Sequence, residues 1–140
     1  MDVRIVETEA EKADAYSVRT QVFVEEQNVP PELEIDDLED VAIHFLGYEN
    51  GLPVAASRLR LVEDYGKLER ICVLKEYRGK SFGKDIISRM ESYIRDQGLQ
   101  KSKLNAQTHA EGFYQSIGYN TISGTFMDAG IPHVTMIKEL

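Results

Sequence analysis

The sequence predicts an α/β domain with a mixed central sheet, and three observations predict it. Short stretches of alternating or β-branched residues recur between segments of helical spacing. An Asn-Gly pair at 50 and 51 joins two of those stretches as a hairpin. A basic, glycine-bearing loop from Lys75 to Lys84 runs straight into the longest helical pattern, as in a strand–loop–helix crossover. The expected order is β-α-(α)-β-β-β-α-β-α-β-β over residues 1–140, read as a single domain.

Each element has a local reason. "VRIVE", 3 to 7, alternates like a strand. Thr8 with Glu11 has the capping-box spacing, and the helix it opens is expected to run to about Gln27 with Ala15, Val18, Val22 and Phe23 on one face. Pro30 and Pro31 stop it. "ELEIDDLED", 32 to 40, holds six acids and reads as a loop or one short helical turn. "VAIHFLGYE" and "LPVAASRLRLVE" flank the Asn-Gly turn, "DYG" turns the chain again, and "KLERICVL" completes a meander with the first strand beside it. Ile86, Ile87, Met90, Tyr93 and Ile94 follow helical spacing, and Gly98 suits the C′ position. "SKLNAQ" is a strand and "AEGFYQSIG" a short helix closed by Gly118. "YNTISGTFM" and "HVTMIKE" are two last strands, joined by a turn containing Gly130 and Pro132.

Composition narrows the function. A net charge of −8 argues against nucleic-acid binding, which needs a basic face, and favours cationic partners. No apolar run is long enough to span a bilayer, so no membrane partner is expected. The start, "MDVRIVETEAEK", lacks a secretory apolar core. Cys72, the single cysteine, cannot form an intrachain disulfide, which points to a reducing cytoplasm.

The chemistry starts at "EYRGKSFGKDI". Strand, glycine loop and helix together make an anion site, because first-turn N–H groups lack partners and the helix dipole favours negative charge. The nucleotide-triphosphatase loop does not fit: Gly79 and Gly83 are one residue too close, and Asp85 stands where a hydroxyl should bind magnesium. The dinucleotide fingerprint does not fit either, since it follows a first parallel strand. Arg78, Gly79, Lys80, Ser81, Phe82 and Gly83 resemble R-x-x-G-x-G, the pyrophosphate loop of the GNAT acetyltransferase superfamily, with Ser81 in place of the middle glycine. "LERICVLKEYRGKSFG" looks like that superfamily's fourth strand entering the loop, and "LNAQTHAEGFYQSIGY" like its fifth strand and F-Y-x-x-x-G-[FY] helix. "RTQVFVEEQNVP" and "FMDAGIPHVTM" are similar to the ElaA-like and YjcF-like bacterial branch.

The resemblance implies the GNAT fold, with splayed fourth and fifth strands, and direct attack of an amine on acetyl-CoA, used as co-substrate without a metal. A lysine-like amine is neutral in only about 1 in 2,500 molecules at pH 7, a deficit of roughly 4.6 kcal/mol that desolvation or a general base must offset. Tyr114 matches the tyrosine whose hydroxyl reaches the cofactor sulfur; ordinary core packing beside Phe113 is the competing reading. Glu69 is the base candidate, expected to share a strand face with Ile71 and Val73, or else to be a carboxylate paired across the sheet. His133 and His44 are alternatives in apolar strand contexts, and His109 is a weaker one. Cys72, expected on the opposite face from Glu69, reads as a buried inert thiol. The backbone of Ile71, Cys72 and Val73 is expected to bond the pantetheine arm, the loop from Arg78 through Lys84 the phosphates, and Asn105 the cofactor. The acceptor is expected to be a small-molecule or peptide amine, cationic, with the acidic segment bordering its mouth; a homodimer is compatible. A silent acyl-CoA-binding or sensing module is the alternative on the same fold, and a phosphate-binding regulator a more distant one.

Overall fold

The computed structural model covers residues 1–140. Eight strands form one sheet in the order β1-β2-β3-β4-β5-β8-β6, with β7 pairing β8. β1 (Asp2–Ile5) lies antiparallel to β2 (Ile43–Glu49), which turns into β3 (Leu52–Val62) and then β4 (Tyr65–Val73). Asn50 and Gly51, both at positive φ, make the first turn as expected. The second turn falls at Glu63 and Asp64, not at "DYG". Gly66 sits inside β4 instead: a Cβ there would come within 2.4 Å of Ile94 on the overlying helix. That glycine marks close packing, not a turn.

The first helix departs from expectation too. Thr8 caps it with the reciprocal bonds to Glu11. α1 spans Glu9–Arg19, and the coil then widens into π-type turns over Thr20–Glu26, with Gln27 N–H reaching back to Val22 O at 3.1 Å. Thr20, Val22 and Val24 are β-branched, which weakens the tighter α turn. A short α2 (Pro31–Glu34) and one 3₁₀ turn (Glu39–Val41) carry the acidic segment.

α3 (Phe82–Asp96) makes the crossover to β5 (Lys101–Gln107), the one parallel neighbour in the sheet. α4 (Glu111–Ser116) follows. The strand expected over 119–127 is broken into β6 (Asn120–Thr121) and β7 (Phe126–Asp128), because Ser123 Oγ takes the Thr135 N–H at 2.8 Å in place of a ladder bond. β8 (Ile131–Glu139) includes Pro132, expected in the turn. α3 and α1 cover opposite faces. Phe45, Leu59, Ile86, Met90 and Leu104 anchor the α3 side; Ala15, Val18, Leu46, Ala56 and Cys72 anchor the α1 side.

Candidate active site

β4 carries one residue more than β3 can pair. Arg58 faces Glu69 and Ala56 faces Cys72, so the surplus is absorbed between Glu69 and Cys72. Arg70 takes it up at φ 56°, the left-handed region, as a β-bulge. The bulge resets side-chain alternation. Glu69 and Cys72 therefore share the α1 face, while Ile71 and Val73 pack toward the α3 core, which corrects the expectation from strict alternation. β4 also bends away from β5: parallel pairing ends at Leu68 and Leu104. The expected splay is present, and the β5 side of Ile71, Cys72 and Val73 is left without a strand neighbour.

The divergence opens a cleft of about 510 Å³. It gathers Glu69 and Ile71 from β4, Asn105 from β5, Tyr114 from α4 and His133 from β8. The widened end of the first helix adds Phe23 and Gln27. Gln107 donates to Gln27 across the gap at 2.8 Å.

The three catalytic candidates differ sharply in state. His133 is largely buried, stacks on Phe126, and donates through Nδ1 to Ile131 O at 2.7 Å. In the neutral ring, that bond leaves Nε2 as the free acceptor. Tyr114 packs edge-on to Phe113 and Tyr119, and its hydroxyl makes no hydrogen bond within the chain. Burial pushes its pKa up, so it stays a proton donor at neutral pH. Glu69 accepts from Arg58 Nε at 3.1 Å and Arg60 Nε at 2.9 Å. Burial alone would raise its pKa, but the Arg60 hydrogen bond and the two guanidinium charges hold it below the usual carboxylate range. Glu69 is thus the cross-strand ion pair, and a weak base.

The remaining candidates sort by contact. Asn105 Oδ1 accepts from Thr135 Oγ1 at 2.9 Å, leaving its amide N–H groups free at the cleft. Cys72 is buried, its thiol pushed up to about 12 by burial, and is inert. His44 is buried away from the cleft and bonds Glu39 O through Nε2 at 2.9 Å. His109 is exposed at the cleft rim.

Sequence reasoning missed the arginines that organise this wall. Arg19, fully buried, binds Glu34 at 2.7 Å and Glu39 at 2.8 Å. Arg58, also buried, binds Asp36 at 2.7 Å, Glu39 at 3.0 Å and Glu69 at 3.0 Å. From the bulge, Arg70 reaches the carbonyls of Leu33 and Glu34 and the Asp36 carboxylate. The acidic segment does border the cleft through Glu34 and Asp36, but three of its six carboxylates are neutralised inside the protein. "SRLRL" was the available signal: two arginines on one face of an otherwise apolar strand demand buried partners.

The glycine loop lies outside the cleft, where β4 ends. Ser81 is left-handed at φ 65°, and Gly79 at φ 78°. Phe82, Gly83 and Lys84 open α3 with N–H groups that bond nothing in the chain. A Cβ on Gly83 would lie 3.9 Å from both Phe113 and Val73, so space alone does not require glycine there. Arg78 is committed elsewhere: its guanidinium holds Glu26 at 2.6 and 2.7 Å and the Val73 carbonyl at 3.0 Å. Lys80 sits over the Tyr77 ring, and Lys84 is exposed.

Comparison with known proteins adds the family. Residues 7–140 match the family model described as an acetyltransferase (GNAT) domain. The chain is 46% identical over 140 residues to the uncharacterised N-acetyltransferase YjcF of Bacillus subtilis, covering 99% of this chain and 100% of that one. It is 32% identical over 128 residues to ElaA of Escherichia coli, covering 88% of this chain and 84% of ElaA. The ElaA crystal structure matches with a TM-score of 0.84 at 25% identity over 99% of this chain and 100% of that one. The structure of an acyl-CoA N-acyltransferase from Pseudomonas aeruginosa matches with a TM-score of 0.87 at 25% identity over 99% of each chain.

Proposed function

The chain belongs to the GNAT acetyltransferase family, and from that premise we propose that it transfers an acetyl group from acetyl-CoA to the nitrogen of a small amine by direct attack. One observation carries the reading: His133, with a free Nε2, and Tyr114, with a free hydroxyl, line the same cleft where β4 leaves β5.

The residues fit such a donor. The unpartnered N–H groups of Phe82, Gly83 and Lys84, with the ammonium groups of Lys80 and Lys84, would hold the diphosphate. Gly83 leaves room beside Phe113 and Val73 for it to approach. The open edge at Ile71, Cys72 and Val73 would bond the amides of the pantetheine arm, and the Asn105 side-chain amide is free to join. Bound there, acetyl-CoA supplies the acetyl group already activated as a thioester.

The chain's own groups handle the protons. His133 Nε2 takes a proton from the incoming ammonium, directly or through one water. Tyr114 donates its phenolic hydrogen toward the departing sulfur. Burial raises the phenol's pKa and so keeps that hydrogen in place until it is donated. Glu69 holds Arg58 and Arg60 in place and takes no proton.

The test is release of free thiol from acetyl-CoA with a panel of amines, with mass spectrometry of the product. Amine-dependent release with an N-acetyl product supports the proposal; binding of acetyl-CoA without release for any amine refutes it.

A further inference from the structure

Resting on the acetyl-transfer reading, we infer that the acceptor is a small amine that also carries a carboxylate, and that Lys67 receives that carboxylate. The cleft is lined by four acidic side chains, Glu34, Asp36, Glu69 and Asp128. The first three already bind arginines. Each of those three is already charge-paired, with one Glu34 oxygen left without a hydrogen-bond partner, and Asp128 lies near enough to Lys67 for its charge to be felt there.

The cations are less well balanced. Lys67 lines the same cleft with its side chain 18% exposed, and its Nζ donates no hydrogen bond. Its nearest carboxylate oxygen is Glu69 Oε2 at 4.0 Å, which already accepts from Arg60. Lys103 stands beside it in parallel register on β5, adding repulsion. Burial, with the repulsion of Arg60 and Lys103, outweighs the pull of Glu69 and Asp128 and lowers the Lys67 pKa. Arg70, on the same wall, also keeps one terminal guanidinium nitrogen without a hydrogen bond.

A largely buried ammonium with three free donors recognises an oxyanion. Lys67 and His133 share one cleft, and its volume of about 510 Å³ suits a small molecule. A compound holding a carboxylate and an amine a few bonds apart can meet both.

The experiment reads binding to the CoA-loaded protein by calorimetry. The probes are α-amino acids and ω-amino acids from glycine to 6-aminohexanoate, their amides, and the matching diamines. The best amino acid should bind at least about tenfold more tightly than its amide. Lys67→Gln should erase that preference and Lys67→Arg should retain it. Equal or tighter binding of the amide or diamine overturns the inference, as does failure of every amino acid to bind. So does a Lys67→Gln protein that melts like wild type and keeps the preference. A carboxylate preference without acetyl transfer would sink the acetyl-transfer reading and leave the subsite standing.

Discussion

His133 and Glu69 stand on one cleft, and their hydrogen bonds give them opposite characters. The imidazole presents a free nitrogen, whereas the carboxylate is saturated by guanidinium groups. His133→Gln should therefore lower kcat about a hundredfold or more. Glu69→Gln should spare kcat and lower stability instead, by freeing Arg58 and Arg60 from their shared partner. A rate that collapses in Glu69→Gln and survives in His133→Gln would reverse the roles. Both residues were legible as candidates, but which one had the free atom was not. That depended on which groups each side chain meets: Glu69 faces Arg58 on β3, and His133 Nδ1 bonds Ile131 O, contacts that alternation alone does not give.

The acidic segment shows how an element acquires its role. Glu39 sits between Arg19 and Arg58, and although burial would raise its pKa, the bonds and charge of Arg19 bring it down to about 2. Its folded pKa lies below the unfolded value, so its stabilisation is full above about pH 5 and is lost as pH falls from about 4.5 toward 2. Asp36 and Glu69, shifted the same way, erode over the same acid range. Arg19→Met should cost about 3–5 kcal/mol by stranding Glu34 and Glu39, and chemical denaturation at pH 7 measures it. A change under about 1 kcal/mol would mean the two carboxylates relax to water.

At the start of α3, Gly83→Val should fold, since its first side-chain carbon has room, but lose acetyl-CoA binding in calorimetry. Wild-type affinity would remove the loop from the phosphate site. Ser81, held at positive φ, carries about 1–2 kcal/mol of strain that glycine would relieve. Helix, loop and hairpin were readable because their signals are local: Thr8 with Glu11, Asn50 with Gly51, Gly79 with Gly83. Gly66 misled because its reason is the contact with Ile94 on another element. The break at Ser123 was hidden because the competing bond reaches Thr135 on β8.

Across the whole molecule, the proposed carboxylate-bearing acceptor gives the charge of −8 no steering role. Glu34, Asp36 and Glu39 are drawn into arginine pairs, while Glu32, Asp37 and Asp40 face solvent. Converting those last three to amides should leave the unfolding free energy nearly unchanged, within about 0.5 kcal/mol. It should also leave the salt dependence of the acceptor KM close to wild type, between Debye lengths of about 30 and 8 Å. A flattened salt slope would restore the expectation that the segment steers a cationic amine.

Amine acetylation between the diverging ends of β4 and β5 is measured most directly by pre-steady-state thiol release from acetyl-CoA. With a productive amine, wild type should release thiol in step with N-acetyl product. Tyr114→Phe should bind acetyl-CoA equally well yet run about tenfold to a thousandfold slower. Wild-type protein that binds acetyl-CoA but releases no thiol with any amine would contradict the account and leave an acyl-CoA-binding module.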